Sequence, residues 1–176
     1  QTKDTLIIYL HDNGWIQDPD SPTFAPMSKR SPYDGGLRTP IIIKWPARVT
    51  PGASESPVLS IDLAPTILAA AGAKPTTDMQ GINLLDARKL AARSAVFGEV
   101  FEHNAVDIHS PAANLQYRWV IEGNWKLILP HEPNVKGGKP ELYDLAKDPT
   151  ETKNLSSKHP GRVVTLTDKL NGWWKP

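Results

Sequence analysis

The chain has 176 residues, 39% hydrophobic and 22% charged, the balance of a globular protein. Its 20 basic and 19 acidic residues leave no net field to attract nucleic acid or an anionic membrane, so any anion must be met by a local site. The lack of cysteine excludes a disulfide, a thiolate metal site and a thiol nucleophile within these residues, and no apolar run approaches the roughly 18 residues of a membrane span.

The first predicted element is a buried strand over Leu6–Leu10, an apolar run that ends abruptly in His11-Asp12-Asn13-Gly14. In open α/β sheets, ligands bind at the carboxyl ends of parallel strands. A carboxylate and a carboxamide side by side at such an end are hard oxygen donors of the kind Ca²⁺ or Mg²⁺ accepts. The same residues also read as an ordinary Asx-Gly turn. A lone strand of the parallel type needs neighbours on both edges and cover on both faces, and too few strands follow to supply them. The chain therefore reads as the C-terminal portion of a longer protein.

Residues 15–34 read as a loop, because four prolines forbid a continuous helix or a central strand. A long loop after a strand's carboxyl end is more often functional than idle. It closes in Tyr33-Asp34-Gly35-Gly36-Leu37-Arg38-Thr39-Pro40, where the glycine pair allows a tight turn or a close approach. Ile41–Trp45 is a second buried strand. A helix is expected from Ser60 as N-cap, through Leu63, Ile67, Leu68 and Ala71, to a stop at Gly72. Residues 81–92 form a loop and a short helix. Ala95–Glu102 alternates as a strand, 103–114 is a polar loop holding His103 and His109, and Tyr117–Ile121 with Trp125–Leu129 makes a hairpin. Glu141–Leu145 is a short strand. Val163, Leu166, Leu170 and Trp173 recur at helical spacing in a closing amphipathic helix. The organisation changes near residue 93: residues 1–93 supply strands and a helix to an α/β sheet, and residues 94–176 an antiparallel sheet of about four strands with a terminal helix.

The order of motifs resembles the sulfatase family. It runs from the strand ending Asp12-Asn13-Gly14, through Lys29-x-x-x-Tyr33-Asp34-Gly35-Gly36-x-Arg38-x-Pro40 and Ile43-Lys44-Trp45-Pro46, to Asp62-Leu63-x-Pro65-Thr66. It continues with Trp125-Lys126-Leu127-Ile128 and Leu142-Tyr143-Asp144-Leu145-x-x-Asp148-Pro149-x-Glu151-x-x-Asn154-Leu155. Each motif is weak alone; their sequence across nearly the whole chain is specific. The resemblance implies an alkaline-phosphatase-like α/β core followed by a small antiparallel sheet packed on a helix. It implies hydrolysis of sulfate esters, those of a sulfated glycan included, with bound Ca²⁺ in preference to Mg²⁺. Asp12 and Asn13 match the family's later pair of metal ligands, and Lys29 matches the lysine that binds the sulfate group. Arg38 is expected to form a buried ion pair that fixes the Gly-Gly turn. Asp34 stands where Glu is commoner, keeping the charge with a shorter reach. His103 is a candidate substrate contact, since the second subdomain of such enzymes overhangs the pocket. A secreted, periplasmic or lysosomal location is likewise what the resemblance implies.

The family's nucleophile is a formylglycine made within (Cys/Ser)-x-Pro-x-Arg, and no residue here begins that pattern. Two oxygen ligands also fall short of the roughly six to eight that calcium takes. The nucleophile and the remaining ligands are expected in the N-terminal half of the same protein, and this chain alone is expected to be inactive. Two other readings stand beside this one. One is a phosphodiesterase or phosphonate hydrolase of the same superfamily. The other is a non-catalytic module that binds sulfated glycans.

Overall fold

The computed structural model describes residues 3–176, which divide into two compact units. One comprises the residues up to His11 with Thr39–Val96; the other comprises Asp12–Arg38 with Phe97–Pro176.

In the first unit β1 (Ile7–Leu10) pairs antiparallel with β2 (Ile41–Lys44), Ile7 opposite Lys44 and Leu10 opposite Ile41. The expected parallel arrangement is corrected here, because apolar content marks a strand but carries no information on its partner's direction. The expected full burial is corrected as well. Ile7, Tyr9 and Ile42 are each more than half exposed, since a two-stranded ribbon gives its outward side chains no second layer. Leu6 and Ile8 line a cavity of about 490 Å³ together with Trp45 and Ile67.

The helix expected from Ser60 is a 3₁₀ turn over Ser60–Asp62 that runs into α2 (Leu63–Ala70), and Gly72, at φ +75°, ends it as expected. The polar anchor is Asp62 and not Ser60. Its carboxylate accepts the backbone N–H groups of Leu59 (2.8 Å) and Ile82 (2.9 Å) and takes the Arg93 guanidinium bidentately at 2.6 and 2.7 Å. The Thr66 hydroxyl donates to the Asp62 carbonyl (2.7 Å) and accepts from the Leu84 N–H (2.8 Å). Asp62 and Thr66 are both fully buried. The Asp-Leu-x-Pro-Thr motif is therefore a polar knot that fastens α2 to the loop leading into α3 (Ala87–Ala92).

The second unit begins with the loop that follows Asp12, interrupted by the single helical turn α1 (Asp34–Leu37). Its sheet has the order β3 (Ala95–Phe101), β4 (Leu115–Glu122), β5 (Trp125–Pro130), β6 (Glu141–Asp144), with β4–β5 and β5–β6 antiparallel. The short turn α4 (Pro111–Asn114) leads into β4. The β4–β5 hairpin closes through Gly123 and Asn124, with Gly123 at φ +55°, the left-handed conformation such a turn demands. Helix α5 (Pro160–Trp173) packs on β4 and β5. Its Leu166 and Leu170 are fully buried with Leu115, Val120, Leu127, Ile128 and Leu142. Burying each such leucine stabilises the fold by about 1.5–3 kcal/mol. Trp119 is buried across β3, where a Cβ on Gly98 would stand 2.3 Å from its ring. Trp173 stacks on Phe97 at 5.4 Å, so these tryptophans serve packing. No helix among the described residues is long and apolar enough to cross a membrane.

Candidate functional site

Asp12, Asn13 and Lys29 all belong to the second unit, on two segments that flank the Gly35–Gly36 turn. The Gly14 N–H donates to the Gly36 carbonyl at 2.8 Å. A Cβ on Gly14 would meet the Gly35 carbonyl oxygen at 2.4 Å, one on Gly35 the Met27 oxygen at 2.5 Å, and one on Gly36 the Ser28 oxygen at 2.0 Å. Backbones pack against one another here with no room for side chains, which is why glycine occupies all three positions. The cradle holds the Asn13-Gly14 turn against one side of α1 and the Met27-Ser28-Lys29 segment against another.

The lysine loop is tightly built. Ser28, fully buried, accepts the Ile16 N–H on its hydroxyl at 2.6 Å, and its carbonyl accepts the Ser31 N–H at 3.1 Å. Met27 and Arg30, on either side, sit at φ +60° and +65°, a conformation that costs of order 1–3 kcal/mol for a residue with a side chain. Lys29 is half-buried, its Nζ lies 5.8 Å from the centroid of the Trp15 ring, and it forms no ion pair among the described residues. An ammonium held in a constrained loop without a carboxylate partner is free to meet an anion.

Asp12 is exposed, and its Oδ1 accepts the Asn13 N–H at 2.9 Å. The Asn13 amide nitrogen donates to the Gly14 carbonyl at 2.8 Å, which leaves its carbonyl oxygen as the available donor atom. The pair thus offers one charged and one neutral oxygen, the hard set that suits Ca²⁺. Among the described residues no group of three His, Cys, Asp or Glu side chains could hold a metal by itself.

What fixes α1 was not foreseen. Lys126, fully buried in β5, pairs with Asp34 Oδ1 and with Glu151 Oε1, each at 2.7 Å. Glu151 Oε2 accepts the Asp34 N–H at 2.6 Å from a residue at φ +55°. Burial pushes the Glu151 carboxyl up, against the opposing pull of the Lys126 ammonium. Beside this cluster the Tyr33 hydroxyl donates to Glu141 Oε2 at 2.9 Å, and Tyr143 donates to the same oxygen. Burial, followed by the hydrogen bond to Glu141, drives both phenols well above their ordinary range. Asp148 shapes the loop that delivers Glu151 by accepting the N–H groups of Thr152 (3.1 Å) and Lys153 (2.8 Å), and Asn154 Oδ1 accepts the Leu142 N–H at 3.1 Å. The dispersed motifs around residues 33, 126 and 151 therefore converge on one buried ionic cluster under α1. Arg38, expected to do this work, is exposed and in no ion pair among the described residues, because the turn's charge is met from β5. The visible signal was a lysine inside an otherwise apolar strand.

His103 lies on an exposed loop, and no hydrogen bond or ion pair joins it to Asp12, Asn13 or Lys29 among the described residues. Buried Asn114 pins that loop. It accepts the Val106 and Asp107 N–H groups, the latter at 3.1 Å, and donates to the Ser110 carbonyl at 3.2 Å.

Comparison with known proteins matches residues 24–172 to the family model described as N-sulphoglucosamine sulphohydrolase, C-terminal. A sulfatase of Formosa agariphila is 29% identical, over 97% of this chain and 33% of that protein. An N-acetylgalactosamine-6-O-sulfatase of Bacteroides thetaiotaomicron is 26% identical, over 96% of this chain and 36% of that protein. The solved phosphonate monoester hydrolase of Silicibacter pomeroyi superposes with a TM-score of 0.71 at 23% identity, over 95% of this chain and 34% of that one. The chain thus spans about a third of the length of the relatives it matches. Its fold is that of the alkaline-phosphatase-like sulfatases.

Proposed function

The chain belongs to the sulfatase family, with its match to the family's C-terminal part, and from that premise we propose that it contributes half of the active site of an enzyme that hydrolyses sulfate esters. In the net reaction a sulfate ester and water give sulfate and an alcohol: the bond from sulfur to the ester oxygen breaks, that oxygen takes a proton, and the attack on sulfur comes from the nucleophile outside this sequence. Lys29 binds the sulfate group; its ammonium stands beside oxygens on which negative charge builds during displacement. Asp12 and Asn13 supply two oxygens to a calcium ion. When bound, that ion polarises the sulfate oxygens. The Gly14–Gly35–Gly36 cradle, held from beneath by Lys126, Asp34 and Glu151, keeps both segments in register. The nucleophile and the remaining ligands lie outside this sequence, and the chain alone is inactive. A relative that acts on N-acetylgalactosamine 6-sulfate supports a sulfated glycan as substrate.

The observation that carries this reading is the placement of Lys29, a cation in no ion pair among the described residues, in a strained, tightly bonded loop that shares one glycine cradle with Asp12-Asn13. The test is kinetic, on the complete protein. Lys29→Ala should lower kcat/KM for sulfate release by about a hundredfold or more, the scale of losing one charge-stabilising group. Unchanged kinetics would remove Lys29 from the site. Preferential hydrolysis of a phosphonate monoester over every sulfate ester tried would move the enzyme to that branch of the superfamily.

A further inference from the structure

Trp15 directly follows the Asp12-Asn13-Gly14 turn and is 51% exposed. Single exposed apolar residues are ordinary on protein surfaces, but this one is held in place from several sides. Phe24 meets its ring edge-on, at 5.6 Å and 73°. The indole N–H points to Gln17 Oε1 at 3.4 Å, and Gln17 is itself locked, its amide nitrogen donating to the carbonyls of Asp18 (3.0 Å), Ser21 (2.8 Å) and Thr23 (3.0 Å). Backbone bonds from Asp18 to Thr23 (3.0 Å) and from Ala25 to Ile16 (2.9 Å) close the same loop. The ring's one polar group is thus turned to the protein, and what it shows to solvent is apolar. The Lys29 ammonium, with no carboxylate partner among the described residues, stands 5.8 Å from the ring centroid.

With the Lys29 ammonium over one face of the ring and in no ion pair among the described residues, the remaining apolar surface of the indole selects a ligand that is flat and apolar on one side and anionic at its rim. We propose that Trp15 is the platform on which the sugar ring carrying the sulfate stacks, while Lys29 takes the sulfate itself. The ligand class is a sulfated pyranose, whose C–H face covers the indole and whose sulfate projects from the ring edge. A rigid aromatic side chain gives this contact area at small conformational cost. The assignment rests on Lys29 as the sulfate-binding residue. It goes beyond it by giving Trp15 the discrimination between a sugar sulfate and free sulfate. If Trp15 served only to hold Lys29 through its π face, both ligands would depend on it equally.

Calorimetric titration of the complete protein with inorganic sulfate, and with a panel of 4- and 6-sulfated N-acetylhexosamines, separates these roles. At least one sugar sulfate should bind about tenfold more tightly than inorganic sulfate, the surplus expected of one aromatic contact. Trp15→Ala should erase that surplus while changing inorganic sulfate by no more than about twofold, and Trp15→Phe should retain most of it. Trp15→Leu, which keeps apolar bulk without a flat face, should lose the surplus too and guards against a folding defect in the alanine variant. Equal weakening of both ligands in Trp15→Ala, retention of the surplus in the leucine variant, or a panel in which no sugar outbinds sulfate would each overturn the platform. Lys29→Ala should weaken every ligand; if it weakens none, the sulfate-binding reading itself falls, whatever Trp15 does.

Discussion

Lys126 sits between two carboxylates in the middle of an apolar strand, and its removal would leave part-buried Asp34 and buried Glu151 without their shared counter-ion. Lys126→Met keeps the aliphatic stem and deletes only the charge. It should destabilise the protein by about 3–5 kcal/mol in chemical denaturation, the range for breaking a buried pair from one side. Asp62 permits a prediction in pH. Burial raises its carboxyl, but the Arg93 guanidinium and the N–H groups of Ile82 and Leu59 outweigh burial and hold it below the ordinary range. Its folded pKa therefore lies below its unfolded one, so the stability it contributes is full above the ordinary carboxylate pKa and is lost as pH falls through the lowered value. Asp62→Asn should cost about 2–3 kcal/mol at neutral pH. Unfolding curves of the two proteins should converge as pH is lowered below about 4. A gap that persists unchanged into strong acid would show that the charge of Asp62 contributes nothing. Glu151 runs the other way: burial raises its folded pKa, so stability is lost as pH rises through that value.

At the scale of elements, the glycine cradle is the part least tolerant of change. Gly36→Ala would drive a Cβ to within 2.0 Å of a backbone oxygen that cannot swing aside, whereas Gly52→Ala meets nothing within 4 Å. The first should destabilise by about 1–3 kcal/mol and weaken sulfate binding, and the second should do neither. Equal effects would mean that the cradle does not position Lys29. Much of this level was legible in the sequence. The β4–β5 hairpin, β6 and α5 stand where alternation, turn residues and helical spacing put them, because each element's own pattern decides its type. The direction of β1 was not legible, since strand pairing depends on a partner 31 or more positions away. Nor was the counter-ion of Asp34, which lies 92 residues on in β5. Asp12, Asn13 and Lys29 were singled out by residue type and motif. The contacts that hold their segments together are backbone approaches between glycines and carbonyls, and no side-chain pattern announces those.

At the scale of the molecule, the chain corresponds to about a third of its relatives' length and contains no nucleophile motif, and on the reading proposed above Asp12 and Asn13 would give calcium two oxygens and Lys29 would give sulfate one cation. Calcium affinity should therefore belong to the complete protein. Chelation should abolish its sulfate release, added Ca²⁺ should restore it, and Asp12→Ala should raise the Ca²⁺ concentration needed by about tenfold or more. The most direct measurement is sulfate release from one sulfate ester by the complete protein and by this 176-residue chain at equal concentration with Ca²⁺ present. The complete protein should turn over and lose that turnover in Lys29→Ala, while the chain alone should release nothing above buffer. Release by the chain alone, or full turnover without Lys29, would contradict the division of labour proposed for this active site.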